Sequence, residues 1–238
     1  MAKIALLMVV LLFSRISFAE VNVFVYDYPP LVVMKNNQPV SGLSYELVDQ
    51  LFVAAEIPLS YSYQPLRRAL YSTERNKNTC AFPVERNQSR EASYRWIGPV
   101  AINRFALFSS PENKIDLLTL EQAKQYPISG FAGTGIVEYL KVNGFDVFET
   151  KKIEHGLQML IHNRVKLWVS DTHTAAALAK KYKIERLEPS LTFFTAINFM
   201  ACNLDMPDET YNSLSETLSA MYQNGAAQNI LKTHLINQ

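Results

Sequence analysis

Hydrophobic positions recur along this chain with two alternating periods. "VNVFVYDY" (21–28) alternates, is β-rich, and breaks at Pro29-Pro30. "SGLSYELVDQLFVAAEI" (41–57) then spaces Leu47, Val48, Leu51, Phe52 and Ala55 along one helical face. A short strand over "LSYSYQ" (59–64), a helix around "PLRRALYSTE" (65–74) and a strand over "TCAFPV" (79–84) follow. A second alternation begins near Tyr126. It predicts strands over "YPISGFAG", "FDVFET" and "VKLWVS", and helices over "GIVEYLKVNG", "IEHGLQMLIHNR" and "DTHTAAALAKKY". Two long extended runs, "GPVAINRFALFSS" (98–110) and "LTFFTAINFMACN" (191–203), bracket this second set. The C-terminal stretch from Asp208 reads as two helices broken at Asn224-Gly225.

Strands alternating with helices predict an α/β architecture. Long extended segments on both sides of the second set predict that the chain builds most of one lobe, crosses to another and returns. A ligand cleft then lies between the lobes, at the carboxyl ends of the strands. A single continuous α/β domain is the alternative that the pattern leaves open.

The first residues change the picture. Lys3 precedes an apolar run of ~10 residues, Ile4 to Phe13, and Ser17-Phe18-Ala19 supplies small residues at the last and third-last positions. The run is short of the roughly 20 residues a membrane span needs. Residues 1–19 therefore read as a signal peptide, with the exported, periplasmic chain starting at Glu20. No second apolar run approaches spanning length, and no cysteine sits at the cleavage point for a lipid anchor. Without Lys3 and Arg15 the 23 basic residues fall to 21, against 22 acidic ones. This near-neutral balance argues against nucleic-acid or anionic-membrane partners.

Two cysteines, Cys80 and Cys202, are a disulfide candidate in an oxidising compartment. The four histidines show no metal-ligand spacing among themselves or with the cysteines, so neither metal nor cofactor is expected. Candidate chemistry concentrates in "CAFPVERNQSREASYRWIGPV" (80–100), which holds Arg86, Arg90 and Arg95. Gly133-Thr134-Gly135 opens a helix, where free backbone N–H groups attract anions. It lacks the third glycine of a dinucleotide fingerprint, Glu138 standing in that place; a plain N-cap turn is the other reading. Asp171 ends a strand and begins a helix, a capping position.

In order and spacing these pieces resemble the family 3 periplasmic solute-binding proteins, the polar amino-acid receptors of ABC importers. The resemblance runs through nearly the whole mature chain. It is carried by Tyr28-Pro29-Pro30, Gly42 before the Glu46-Leu47 helix, Arg90 ahead of the aromatic-Gly-Pro, Gly133-Thr134-Gly135 with Tyr139-Leu140, and Asp171. It implies a two-lobed (type II) fold with lobe 1 from 20–108 plus 198–238, lobe 2 from 109–197, and two crossover strands between them. It implies a small zwitterionic or carboxylate ligand, an amino acid or relative. Arg90 would grip a carboxylate with its planar fork, and Thr134 would add a donor from lobe 2. Asp171 would accept from an ammonium group, and Tyr28 would lay its ring on the ligand. Arg86 would assist if it shares a helical face with Arg90; otherwise Arg86 and Arg95 are solvated charges paired with Glu85 or Glu91. The resemblance further implies a Cys80–Cys202 bond between antiparallel strands of lobe 1, a monomer, and an ABC permease as partner. The chain departs from the family at Pro83-Val84-Glu85, where serine or threonine donors are usual; Glu85 there suits a cationic group. Two other roles follow from the same fold, a ligand sensor for a signalling partner and a periplasmic cyclohexadienyl-type dehydratase using Glu85 or Asp171.

Overall fold

The computed structural model describes residues 18–230. The signal-peptide assignment falls almost wholly outside them, as does the part of the second C-terminal helix beyond Ile230.

The first lobe begins with β1 (Val21–Val25), a hairpin of β2 (Val33–Lys35) and β3 (Gln38–Ser41), and α1 (Leu43–Ala54). Then come β4 (Leu59–Tyr63), α2 (Leu66–Arg75) and β5 (Thr79–Glu85). β5 is buried along its whole length, as expected of an interior strand of the sheet. α1 buries Leu47, Val48, Leu51 and Phe52, the face that the sequence spacing defines. The β2–β3 hairpin is the one element here that the pattern did not announce. Its turn is made by Asn36 and Asn37, both at positive φ, which asparagine tolerates.

β6 (Arg95–Phe108) carries the chain across to β7 (Ile128–Phe131), α3 (Gly135–Val142), β8 (Val147–Thr150), α4 (Ile153–Ile161), β9 (Leu167–Asp171) and α5 (Thr172–Tyr182). β10 (Pro189–Cys202) then brings it back to α6 (Asp208–Gln223). The eight strands order as β4-β1-β5-β10-β6-β9-β7-β8. The outer pairs β1–β4, β1–β5, β7–β8 and β7–β9 are parallel, while β10 runs antiparallel to both β5 and β6. β6 and β10 are therefore the two long strands on which the chain crosses and recrosses. Their partners change along their length: β10 meets β5 at Asn198–Cys202, and β6 meets β9 at Phe105–Phe108.

Cys202 lies directly opposite Cys80 in the β10–β5 register, with Cα atoms 4.0 Å apart and sulfurs at disulfide distance. Both are fully buried.

Among the described residues, three apolar clusters form the core. One joins β1, β5, α1 and α6 through Val23, Leu47, Phe82 and Leu218. Another packs α3 on β7 and β9 through Ile136, Leu140 and Val169. The third reaches from Leu66 and Trp96 to Leu157 and Trp168 by way of Tyr26, Tyr28 and Phe131, so aromatic rings from both halves meet at the junction.

Candidate functional site between the lobes

The carboxyl ends of β1, β5, β7 and β9 all point at this junction. Each places a side chain there: Tyr26 and Tyr28 after β1, Glu85 on β5, Phe131 on β7 and Asp171 on β9. In open α/β sheets, strand ends facing a crevice are where ligands bind, because the loops there diverge and leave backbone groups free.

Three charged side chains are buried among the described residues, namely Glu85, Arg90 and Asp171, and all three lie here. Arg90 donates from Nη2 to the Gly133 carbonyl at 2.8 Å and pairs with Glu138 at 2.8 Å, so its guanidinium ties the first lobe to the start of α3. Its other terminal nitrogen, Nη1, is buried without a protein partner. Glu85 Oε2 accepts from the Ile136 backbone N–H at 2.9 Å, at the positive end of α3. Gly135 permits this approach, since a Cβ there would meet Glu85 Oε2 at 2.5 Å. Burial raises the Glu85 carboxyl to about 7, with Arg90 and the Ile136 N–H pulling the other way.

Asp171 is fully buried and caps α5, its Oδ1 accepting from Thr174 N at 2.9 Å. Burial raises its pKa, opposed by hydrogen bonds from Thr174 and from the Tyr28 hydroxyl. The Tyr28 hydroxyl lies close enough to Asp171 for burial and the neighbouring carboxylate to push the phenol upward. Asn103, on β6, donates to that hydroxyl at 3.2 Å and keeps a buried, unpartnered Oδ1. The Tyr26 hydroxyl donates to the Pro83 carbonyl, and its ring lies 5.9 Å from those of Tyr28 and Phe131. Thr174 Oγ1 to Pro29 O, at 2.8 Å, adds another tie between the halves.

Tyr28 and Asp171 thus come together, Arg90 lies against Gly133 and Glu138, and Thr134 follows Gly133 with its hydroxyl turned back to the Phe131 carbonyl. Arg86 takes a different course. Residues 86–90 are not helical, a single 3-10 turn beginning only at Glu91, so Arg86 and Arg90 share no face. Arg86 instead pairs with Glu91 at 2.5 Å and lies over Phe199, lining a groove of about 970 Å³ on the outer side of α3. Glu85 lines the same groove, which also carries Tyr139 and Phe194. Arg95 pairs with Asp208, not with Glu85 or Glu91. Tyr26, Phe131 and Asn103 escaped the sequence reading. Asn103 was visible as a lone polar residue on the buried parity of an apolar run, two positions from Ala101 and Phe105.

Among the described residues no group of His, Cys, Asp or Glu is arranged to hold a metal ion, and no helix is long and apolar enough to cross a membrane.

No family model and no curated protein matches the chain by sequence. Solved structures do match it in fold. A histidine kinase sensor domain with similarity to periplasmic binding proteins superposes with a TM-score of 0.83 at 16% identity, over 92% of this chain and 97% of that one. An ancestral arginine-binding protein bound to arginine gives 0.78 at 15%, over 90% and 97%. The GluR0 ligand-binding core from Nostoc punctiforme, in complex with L-glutamate, gives 0.78 at 17%, over 90% and 98%. The fold is the two-lobed α/β fold of periplasmic binding proteins, with the cleft between lobes joined by two crossing strands.

Proposed function

We propose that the chain, exported to the periplasm and cut after Ala19, is a binding protein for a small ammonium-bearing molecule, an amino acid or a relative. The reading takes residues 20–108 with 198–238 as one lobe and 109–197 as the other. It rests on one observation above all. The three buried charges of the described chain converge where the lobes meet, and Arg90 Nη1 there is left without a protein partner. A buried polar atom without a partner costs about 1–3 kcal/mol, which a ligand supplying that partner recovers. In this reading Tyr28, Arg90 and Asp171 contact the ligand and Thr134 shapes the α3 turn, while Arg86 lines the neighbouring groove with Glu85. Closure is a population shift between open and closed lobes, favoured by whatever the ligand touches only when closed.

The chain would act as a monomer and hand its ligand to an ABC permease in the inner membrane. The likeness to a kinase sensor domain favours a second role for the same pocket, reporting the ligand to a signalling partner. The test is a thermal-shift screen on residues 20–238, freed of carried-over ligand by unfolding and refolding, against amino acids, small carboxylates and amines. A ligand at 100 times its Kd adds about 2.7 kcal/mol. A hit that disappears in Asp171→Ala supports the pocket; silence across the panel sinks the reading.

A further inference from the structure

The helix start at α3 and the guanidinium of Arg90 are the two groups in the cleft equipped to hold an anion; the protein's own carboxylates engage the helix start and Arg90 Nη2, while Arg90 Nη1 stays buried and unpartnered. Glu85 Oε2 takes the Ile136 N–H, and Glu138 takes the Arg90 Nη2 that also serves Gly133 O. Glu85 is 6% exposed and is packed so closely that a methyl on Gly135 would collide with its oxygen. On the other side of the cleft, two buried acceptors have spare capacity. Asp171 Oδ2 and Asn103 Oδ1 are both on fully buried residues, on adjoining strands, β9 and β6. The rings of Tyr26, Tyr28 and Phe131 stand between, offering faces that attract cations. The buried ionisable groups in the cleft are two carboxyls and one guanidinium, and Glu138 adds a half-exposed carboxylate.

We infer that Glu85 is a specificity-determining residue that occupies the anion position itself, so that the ligand is an organic cation, an amine or guanidine lacking a free carboxylate. This rests on the ligand-binding reading above and narrows it. A ligand carboxylate placed at α3 would face Glu85 across the same few N–H groups, and each backbone N–H is spent once. A cation placed between Asp171, Asn103 and the rings supplies donors to these acceptors and favours the ionised form of Asp171. Arg90 holds the lobes together and offsets Glu85 and Glu138.

The test uses matched pairs that differ only by the carboxylate: agmatine with arginine, cadaverine with lysine, tyramine with tyrosine, phenethylamine with phenylalanine. Titration calorimetry on residues 20–238 should show the decarboxylated member of at least one pair binding about tenfold or more tighter than its parent. Glu85→Gln, which keeps an acceptor for Ile136 N but removes the charge, should move that preference toward the amino acid by about tenfold. Glu85→Thr, smaller and neutral, should do the same, so that poor folding of one variant leaves the other to decide. The inference is overturned if the wild-type protein prefers the amino acid in every pair that binds. It is equally overturned if both variants keep the wild-type preference. Absence of binding to every compound, in wild-type and variants alike, overturns the ligand-binding reading itself, and the inference with it.

Discussion

Glu85 makes its position testable without any ligand. Replace it with glutamine and follow stability against pH. In the folded protein burial raises this carboxyl from 4.5 to about 7, helped by the nearby charges of Glu138 and Asp171 and opposed by Arg90 and the Ile136 N–H. The ionised form also presses on Tyr26 and Tyr28, whose phenols it pushes upward. A carboxyl whose folded pKa is raised contributes stability that is fully present below its unfolded pKa and is lost as pH climbs through the folded one. The window therefore runs from 4.5 to about 7. At 1.36 kcal/mol per pH unit the whole effect is on the order of 3 kcal/mol, of which roughly 2–3 kcal/mol falls between pH 5 and pH 8. Urea denaturation of residues 20–238 at these two pH values, on wild-type and Glu85→Gln protein, measures it. Burial also raises Asp27 and Asp171, which add losses of the same sign to both proteins. The difference between the two profiles isolates Glu85. Parallel profiles would refute the claim that this carboxylate is buried against α3.

Other perturbations probe the same architecture. Gly135→Ala should push Glu85 off the Ile136 N–H, because the new Cβ meets its Oε2 at 2.5 Å; the pH profile should flatten as in Glu85→Gln, and an unchanged profile argues against the contact. Arg90→Ala should weaken ligand binding while the circular dichroism spectrum stays native, since it cuts the tie to Gly133 and Glu138; unaltered affinity removes Arg90 from the site. Reducing the Cys80–Cys202 bond releases a loop of 122 residues and should lower stability by about 2–5 kcal/mol, read as a drop in Tm.

The fold was readable because its signals are local and repeated. α1 buries the residues its 3.6-residue period names, and β5 is the short apolar run that a fully buried interior strand requires. The β2–β3 hairpin was not readable: its strands are short, hold a proline and present little buried surface, so no apolar alternation marks them. The site divides the same way. Asp171 at a strand–helix junction and Tyr28 before two prolines could be placed, because strand ends and caps are written into adjacent residues. Tyr26, which follows β1, Phe131 on β7 and Asn103 on β6 meet only through the pairing of the sheet, which nothing local encodes.

Glu85 falls between these cases, and what separates them is solvation. Nothing in "PVERNQSR" says whether a carboxylate faces water or a helix end. In water Glu85 would be one of 22 acidic residues in a near-neutral chain. Against Gly135 it is one of three buried charges, and its carboxylate takes a backbone donor that an incoming anion would need. The residue is the same; the difference lies in a glycine fifty positions downstream, at the start of α3. Small residues such as Gly135 set how closely two lobes approach, and here that approach gives the cleft an anion of its own.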